Sequence, residues 1–277
     1  MSDIQVSFHV KNIATQEMLI AFLNELGYAS FQQTENALLA FIPKENFKEL
    51  ELTELLSSSI FNQLNLTYDF EEIAEQNWNK LWESNYEPVI IEGKLLVKAA
   101  HHTIEKKYLY EIELSPKMSF GTGHHETTYM MMAEMMELNF VNKEVLDFGS
   151  GTAILSIFAS LLKAKNITAI DYEEWAFKNA KENCEINKID NVEVLKGSAE
   201  LFVGKQYNVI LANINKNIIL QYINSLHTAL KVGGELLISG ILLDDKDAII
   251  SAAENYFKTH PIVKTRGNWS MIRFHKG

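Results

Sequence analysis

The sequence predicts an α/β chain in which a doubly wound, mostly parallel sheet follows a smaller α+β unit. Three observations lead there. Residues 144–155, EVLDFGSGTAIL, read as a buried strand that breaks into a glycine-rich turn and resumes as an apolar helix. From that stretch onward, runs of strand and helix type alternate, as in a parallel sheet wrapped by helices. Before it, residues 1–72 give the order β-α-β-β-α-β, the split βαβ or ferredoxin-like arrangement.

In the first unit, Ile4–Val10 alternates apolar and polar residues, as a half-buried strand does. Thr15–Leu26 places Met18, Leu19, Phe22, Leu23 and Leu26 at helical spacing, and Gly27 stops it. Short strands at Ser30–Gln33 and Ala37–Ile42, a helix near Phe47–Ser58 and a strand near Leu66–Glu72 complete it. No catalytic constellation is present; His9 is expected on a strand's polar face, in water. Residues 1–72 therefore read as a recognition module.

Residues 73–88 read as a helical linker ended by Pro88, with Trp78 and Trp82 four apart as a packing stripe. The second domain is expected over 89–277. It opens with a hairpin, Val89–Ile91 and Leu95–Val97 around Glu92-Gly93, and a further strand at Tyr108–Leu114.

Phe120-Gly-Thr-Gly-His-His-Glu-Thr-Thr128 is expected as a loop able to fold over a ligand, with Phe120 closing it and Thr128 bonding the ligand. A methionine-rich helix, Tyr129–Leu138, follows. His124, His125 and Glu126 do not form a metal motif. Tyr129 stands where H-E-x-x-H needs its second histidine, and successive loop residues rarely converge on one ion. No metal is expected, and the methionines read as core filler.

The turn Gly149-Ser150-Gly151-Thr152 brings backbone N–H groups and the positive end of a helix against a ligand. Glycine there permits positive φ and close approach. The next apolar run, Ile167–Ile170, ends in Asp171, the expected position of a ribose-binding carboxylate. Together these make a nucleoside half-site. A dinucleotide site wants a third glycine where bulky Ile154 stands; the small residue falls one place earlier, at Ala153. A nicotinamide oxidoreductase is disfavoured on that ground.

A helix Glu173–Asn187, a strand Val192–Lys196 and a buried strand Tyr207–Ala212 follow. Cys184, the single cysteine, lies within the helix and supports neither a disulfide framework nor a thiolate metal site. Asn213, at the end of the buried strand, can accept a hydrogen bond from an amine through its side-chain carbonyl. A helix to Leu230, the turn Gly233-Gly234, a strand Glu235–Ser239, a helix Asp244–Tyr256 and strands Ile262–Thr265 and Trp269–His275 complete the chain. The short last connection predicts an antiparallel final strand.

With 277 residues and a 47% hydrophobic fraction, the chain can bury a large core. No apolar run approaches a membrane span, and the polar start is unlike a signal peptide; a cytoplasmic protein with no membrane partner is expected. The formal net charge of −11 disfavours a nucleic-acid backbone as main partner and suits a basic protein substrate.

Here the motifs become specific. FGTGHHETT resembles the FGTGxHxTT loop of the ribosomal protein L11 methyltransferases. DFGSGTAIL resembles their motif I, ANIN at 212–215 their A-N-I-L run, and NWNKLWESNYEPV their tryptophan-bearing linker. The similarity covers roughly residues 75–277. Departures are Ala153 for glycine, Asn215 for leucine, and Glu126 where the family often has proline. The resemblance implies a class I methyltransferase fold, with S-adenosylmethionine touched by Thr128, Gly149, Asp171 and Asn213; Gly151 and Phe120 join that expected set. It also implies methyl transfer to lysine side-chain and α-amino nitrogens of a large-subunit ribosomal protein by a monomer that needs no nucleic-acid contact.

Deprotonating a lysine of pKa about 10.4 at pH 7 costs roughly 4.6 kcal/mol, so the site must favour the neutral amine. Asn213 is the expected catalytic residue, orienting the amine, while His125 and Glu126 are candidates for relaying the proton. The alternative is a class I methyltransferase acting on another protein, a nucleobase or a small molecule. Nucleobase enzymes typically show Asn/Asp-Pro-Pro-aromatic, and no proline directly follows Asn213.

Overall fold

The computed structural model describes residues 3–28, 30–57, 61, 64, 66–73, 86–115 and 121–277. The chain divides into two compact units, residues 1–81 and 82–277. Trp78, Trp82 and Phe120, and with them most of the expected linker helix, lie outside the described residues; 86–88 are not helical.

The first unit runs β1 (Asp3–Phe8), α1 (Ile13–Glu25), β2 (Ser30–Gln33), β3 (Leu38–Pro43), α2 (Glu49–Ser57) and β4 (Tyr68–Ile73). Its sheet order is β2-β3-β1-β4, with every neighbouring pair antiparallel. The inward residues of the two central strands, Val6, Phe8, Leu38 and Ala40, are fully buried with Leu19 and Leu23 of α1. Asn12 starts that helix by accepting a hydrogen bond from the Thr15 amide. His9 differs from its expected place: it follows β1, and its Nε2 lies 2.7 Å from the Asp69 carboxylate, so it is paired as well as exposed.

In the second unit, β5 (Val89–Ile91) and β6 (Leu95–Ala99) form the expected hairpin, with Glu92 and Gly93 at positive φ. β7 (Tyr110–Leu114) joins β6 in parallel. Then come α3 (Glu126–Met135), β8 (Glu144–Phe148), α4 (Ile154–Leu161), β9 (Asn166–Asp171), α5 (Glu174–Ile186), β10 (Val192–Lys196) and β11 (Tyr207–Asn213). The chain ends with α6 (Lys216–Ala229), β12 (Leu230–Leu242), α7 (Lys246–Ala253), β13 (Ile262–Arg266) and β14 (Trp269–His275).

These strands form a seven-stranded sheet of order β10-β9-β8-β11-β12-β14-β13, with β14 antiparallel to both neighbours. Strand alternation splits its side chains between two cores. Val145, Leu211, Leu237 and Met271 face α3 and α4, whose Met131, Met132 and Phe158 are fully buried. Leu146, Ile210, Ile238 and Ile272 face the other side, with Ile219 of α6 and Ile249 of α7.

Two elements correct the sequence reading. Helix α3 begins at Glu126, so Thr127 and Thr128 sit in its first turn and not in a loop; His125 caps it, accepting from the Thr127 amide. Strand β12 runs through Gly233-Gly234, where the pairing slips between Tyr207–Leu230 and Val209–Glu235.

Candidate active site

Strand order reverses between β8 and β11, and a cleft of about 830 Å³ opens at the carboxyl ends of the parallel strands. That size suits a cofactor-scale ligand. Gly149 and Gly151 follow β8, Asp171 ends β9 and Asn213 ends β11; all four line the cleft, as does Thr128 from α3.

Backbone contacts hold the glycine turn. The amides of Gly149 and Ser150 both donate to the Ile170 carbonyl, at 2.8 and 3.0 Å, and the Gly151 amide donates to Asp171 Oδ2 at 2.9 Å. Gly149 has φ 78°, and a Cβ there would overlap Ile214 Cγ2. Ala153 also has positive φ, 61°. The sequence reading takes its smallness as the relevant property, but its backbone is left-handed, where glycine costs least.

Beneath the turn, Asp147 is fully buried and accepts from Ser156 at both the amide (3.1 Å) and Oγ (2.6 Å). It thereby caps the first turn of α4 from a distance. Burial pushes its pKa up to about 7, against the two Ser156 bonds that lower it and with the nearby Asp171 charge adding to the rise.

Asp171 is 8% exposed, and its second oxygen accepts from the Glu173 amide at 3.1 Å. A carboxylate offers about four lone-pair sites, so capacity remains for two hydroxyl donors. Asn213 donates from Nδ2 to Thr128 Oγ1 at 3.3 Å. Its Oδ1 is buried and has no hydrogen-bond partner among the described residues.

The two adjacent histidines diverge. His124 packs edge-on against Tyr86 at 4.8 Å, and His125 against Trp269 at 4.6 Å, with its Nδ1 on Thr127. The cap role occupies one His125 nitrogen, which weakens the expected proton relay. The aromatic wall of Tyr172, Trp175 and Trp269 was not foreseen from sequence. The available signal was Tyr172-x-x-Trp175 directly after Asp171, which leaves two exposed aromatic residues beside a ligand position.

The fit to S-adenosylmethionine rests on three features: a glycine turn with no room for a side chain at Gly149, a carboxylate with unused acceptor capacity, and the buried amide oxygen of Asn213, which has no partner among the described residues.

The family model described as Ribosomal protein L11 methyltransferase (PrmA) matches residues 5–277. The chain belongs to that family. It is thus a protein methyltransferase that uses S-adenosylmethionine. A relative named ribosomal protein L11 methyltransferase from Phocaeicola vulgatus is 34% identical over 99% of both chains. One of the same name from Porphyromonas gingivalis is 37% identical over 93% of this chain and 90% of its own. Among solved structures, the ribosomal protein L11 methylase of Lactobacillus delbrueckii subsp. bulgaricus matches with TM-score 0.64 and 27% identity. That match covers 69% of this chain and 99% of the other. The family's class I fold is the one described above.

Proposed function

We propose that the chain methylates lysine side-chain and N-terminal amino groups of ribosomal protein L11, with Asn213 orienting the amine. The buried Oδ1 of Asn213, without a partner among the described residues, carries this reading. Such an oxygen, stripped of water, costs about 1–3 kcal/mol, which an incoming N–H donor recovers. The bond from Nδ2 to Thr128 fixes the amide so that its oxygen is left for the ligand.

Bound S-adenosylmethionine supplies a methyl group on a sulfonium, electrophilic enough for direct displacement. The chain binds and orients. Asp171 would accept from the ribose hydroxyls, Gly149 and Gly151 would let the backbone come close, and Thr128 would hold Asn213 in place beside the cofactor. Ile214, Ile218 and Trp269 give the cleft apolar walls, which favour the neutral amine over the ammonium ion. Positioning supplies most of the rate.

We read residues 1–72 as a ferredoxin-like recognition domain, 73–88 as a linker and 89–277 as the catalytic domain of a monomeric, cytoplasmic enzyme. The antiparallel order β2-β3-β1-β4 and the separate core of the first unit support the first assignment. No described helix is long and apolar enough to cross a membrane. A net charge of −11 favours a basic protein substrate over a nucleic acid.

The test is intact-mass measurement of a mixture of ribosomal proteins after incubation with the enzyme and S-adenosylmethionine. L11 should gain whole methyl groups on lysine and α-amino nitrogens. An unmodified L11 beside a modified different protein would overturn the substrate assignment.

A further inference from the structure

Asparagine recurs at every fourth position along α5 and its C-cap: Asn179, Asn183 and Asn187. Spaced so, they share one helix face, about 6 Å apart along the axis. A β-strand presents peptide groups to one side every two residues, about 6.7 Å apart. The two repeats match, and the free edge of β7 runs along this face. Asn187 clamps the Glu113 peptide, accepting from its amide at 2.9 Å and donating to its carbonyl at 2.6 Å. Two residues on, the Ser115 amide donates to Asn183 Oδ1 at 2.8 Å, and Asn179 Nδ2 lies 3.4 Å from the Ser115 carbonyl.

Asn183 departs from a simple strand mimic. Its Nδ2 does not return to Ser115 but donates to the carbonyl of Thr152, at 3.0 Å in a buried setting. Thr152 closes the glycine turn, and its Oγ1 donates at 2.6 Å to the carbonyl of Gly121, which lines the cleft beside that turn. The Thr152 carbonyl belongs to the peptide that leads into left-handed Ala153. A donor fixed on that carbonyl holds the peptide in the orientation the positive φ requires.

We propose that Asn183 is a positioning residue for the cofactor. It ties the glycine turn, through Thr152, to the end of β7, and so keeps Gly149–Gly151 and Gly121 in one arrangement before the ligand arrives. The inference rests on the glycine turn being the S-adenosylmethionine cradle. Asn187 anchors β7, its Nδ2 also donating to the Asn183 main-chain carbonyl at 2.7 Å, and makes no hydrogen bond to the turn among the described residues, so it separates stabilisation from positioning.

The test compares Asn183→Asp with Asn187→Ala in the full-length chain. The aspartate keeps the shape and can still accept from the Ser115 amide; with binding measured at about pH 9, where a buried carboxyl group is ionised, it cannot donate to the Thr152 carbonyl. We expect the Kd for S-adenosylmethionine, by calorimetry, to rise roughly tenfold in Asn183→Asp. KM for the cofactor should rise in parallel, with a much smaller fall in kcat. Asn187→Ala should melt at lower temperature with its Kd unchanged. Equal weakening in both variants, or a wild-type Kd in Asn183→Asp, would overturn the proposal. Should Asn183→Asp not fold, amide exchange in the wild type decides. The Ser115 amide should exchange at least several-fold more slowly with cofactor bound, and an unchanged Ser115 beside a protected Gly151 would overturn the coupling. A wild-type protein that binds no S-adenosylmethionine would overturn the cradle reading and this inference together.

Discussion

Asn213 and Thr128, on β11 and α3, meet through a 3.3 Å hydrogen bond that leaves the Asn213 amide oxygen buried in the cleft without a partner among the described residues. The threonine sets which end of the amide the ligand meets.

Asn213→Ala should therefore damage turnover more than folding. Misplacing a nucleophile by about 1 Å can cost on the order of a hundredfold in rate. The measurement is kcat at saturating S-adenosylmethionine beside a melting curve. A normal melt with near-normal kcat would show that Asn213 only shapes the turn. Thr128→Val, which removes the amide's partner but keeps its volume, should give a smaller loss in the same direction.

Asp171→Ala should weaken S-adenosylmethionine binding by about 1.5–3 kcal/mol, the range for hydrogen bonds to a charged group. The variant also frees the Gly151 amide. Calorimetry reads the Kd directly, and an unchanged value would mean that the carboxylate serves the turn alone.

Asp147 predicts a pH dependence. Burial raises its folded-state pKa to about 7, well above the ordinary 3.8, so the folded chain holds this proton more tightly than the unfolded one. Its contribution is fully present below pH about 4 and is lost as pH rises through about 7. Asp147→Asn cannot ionise. Its melting temperature should thus gain on the wild type between pH 5 and pH 8, and a constant difference across that range would contradict the assignment.

A fragment spanning residues 82–277 should keep S-adenosylmethionine binding and lose methylation of L11. Both cores around the seven-stranded sheet lie within that unit. Full activity of the fragment on L11 would remove the recognition role from the first unit.

The glycine turn, Asp171 and Asn213 were legible in sequence because each is fixed by local rules: strand, tight turn, strand end. The element order of both units was legible from periodicity. The start of α3 was not, since histidine is not among the favoured N-cap residues and GTGHHETT reads as loop. Gly233-Gly234 reads as a terminator, yet pairing with β11 carries β12 past it with a slip in register. The asparagines of α5 look like an exposed polar stripe until β7 is placed beside them. Their partners, Glu113 and Ser115, are more than sixty residues away.

Ile214 fills the space that a side chain at Gly149 would need, and its backbone carbonyl stands 2.6 Å from where a Cβ on Gly240 would lie. In evolutionary terms these three positions form one inherited block. A side chain at 149 needs a shorter residue at 214 and still carries the cost of a φ of 78°, whereas at 240 the obstacle is main chain, which no change at 214 removes. Along any branch of the family, 214 should therefore change before 149, with 240 kept as glycine.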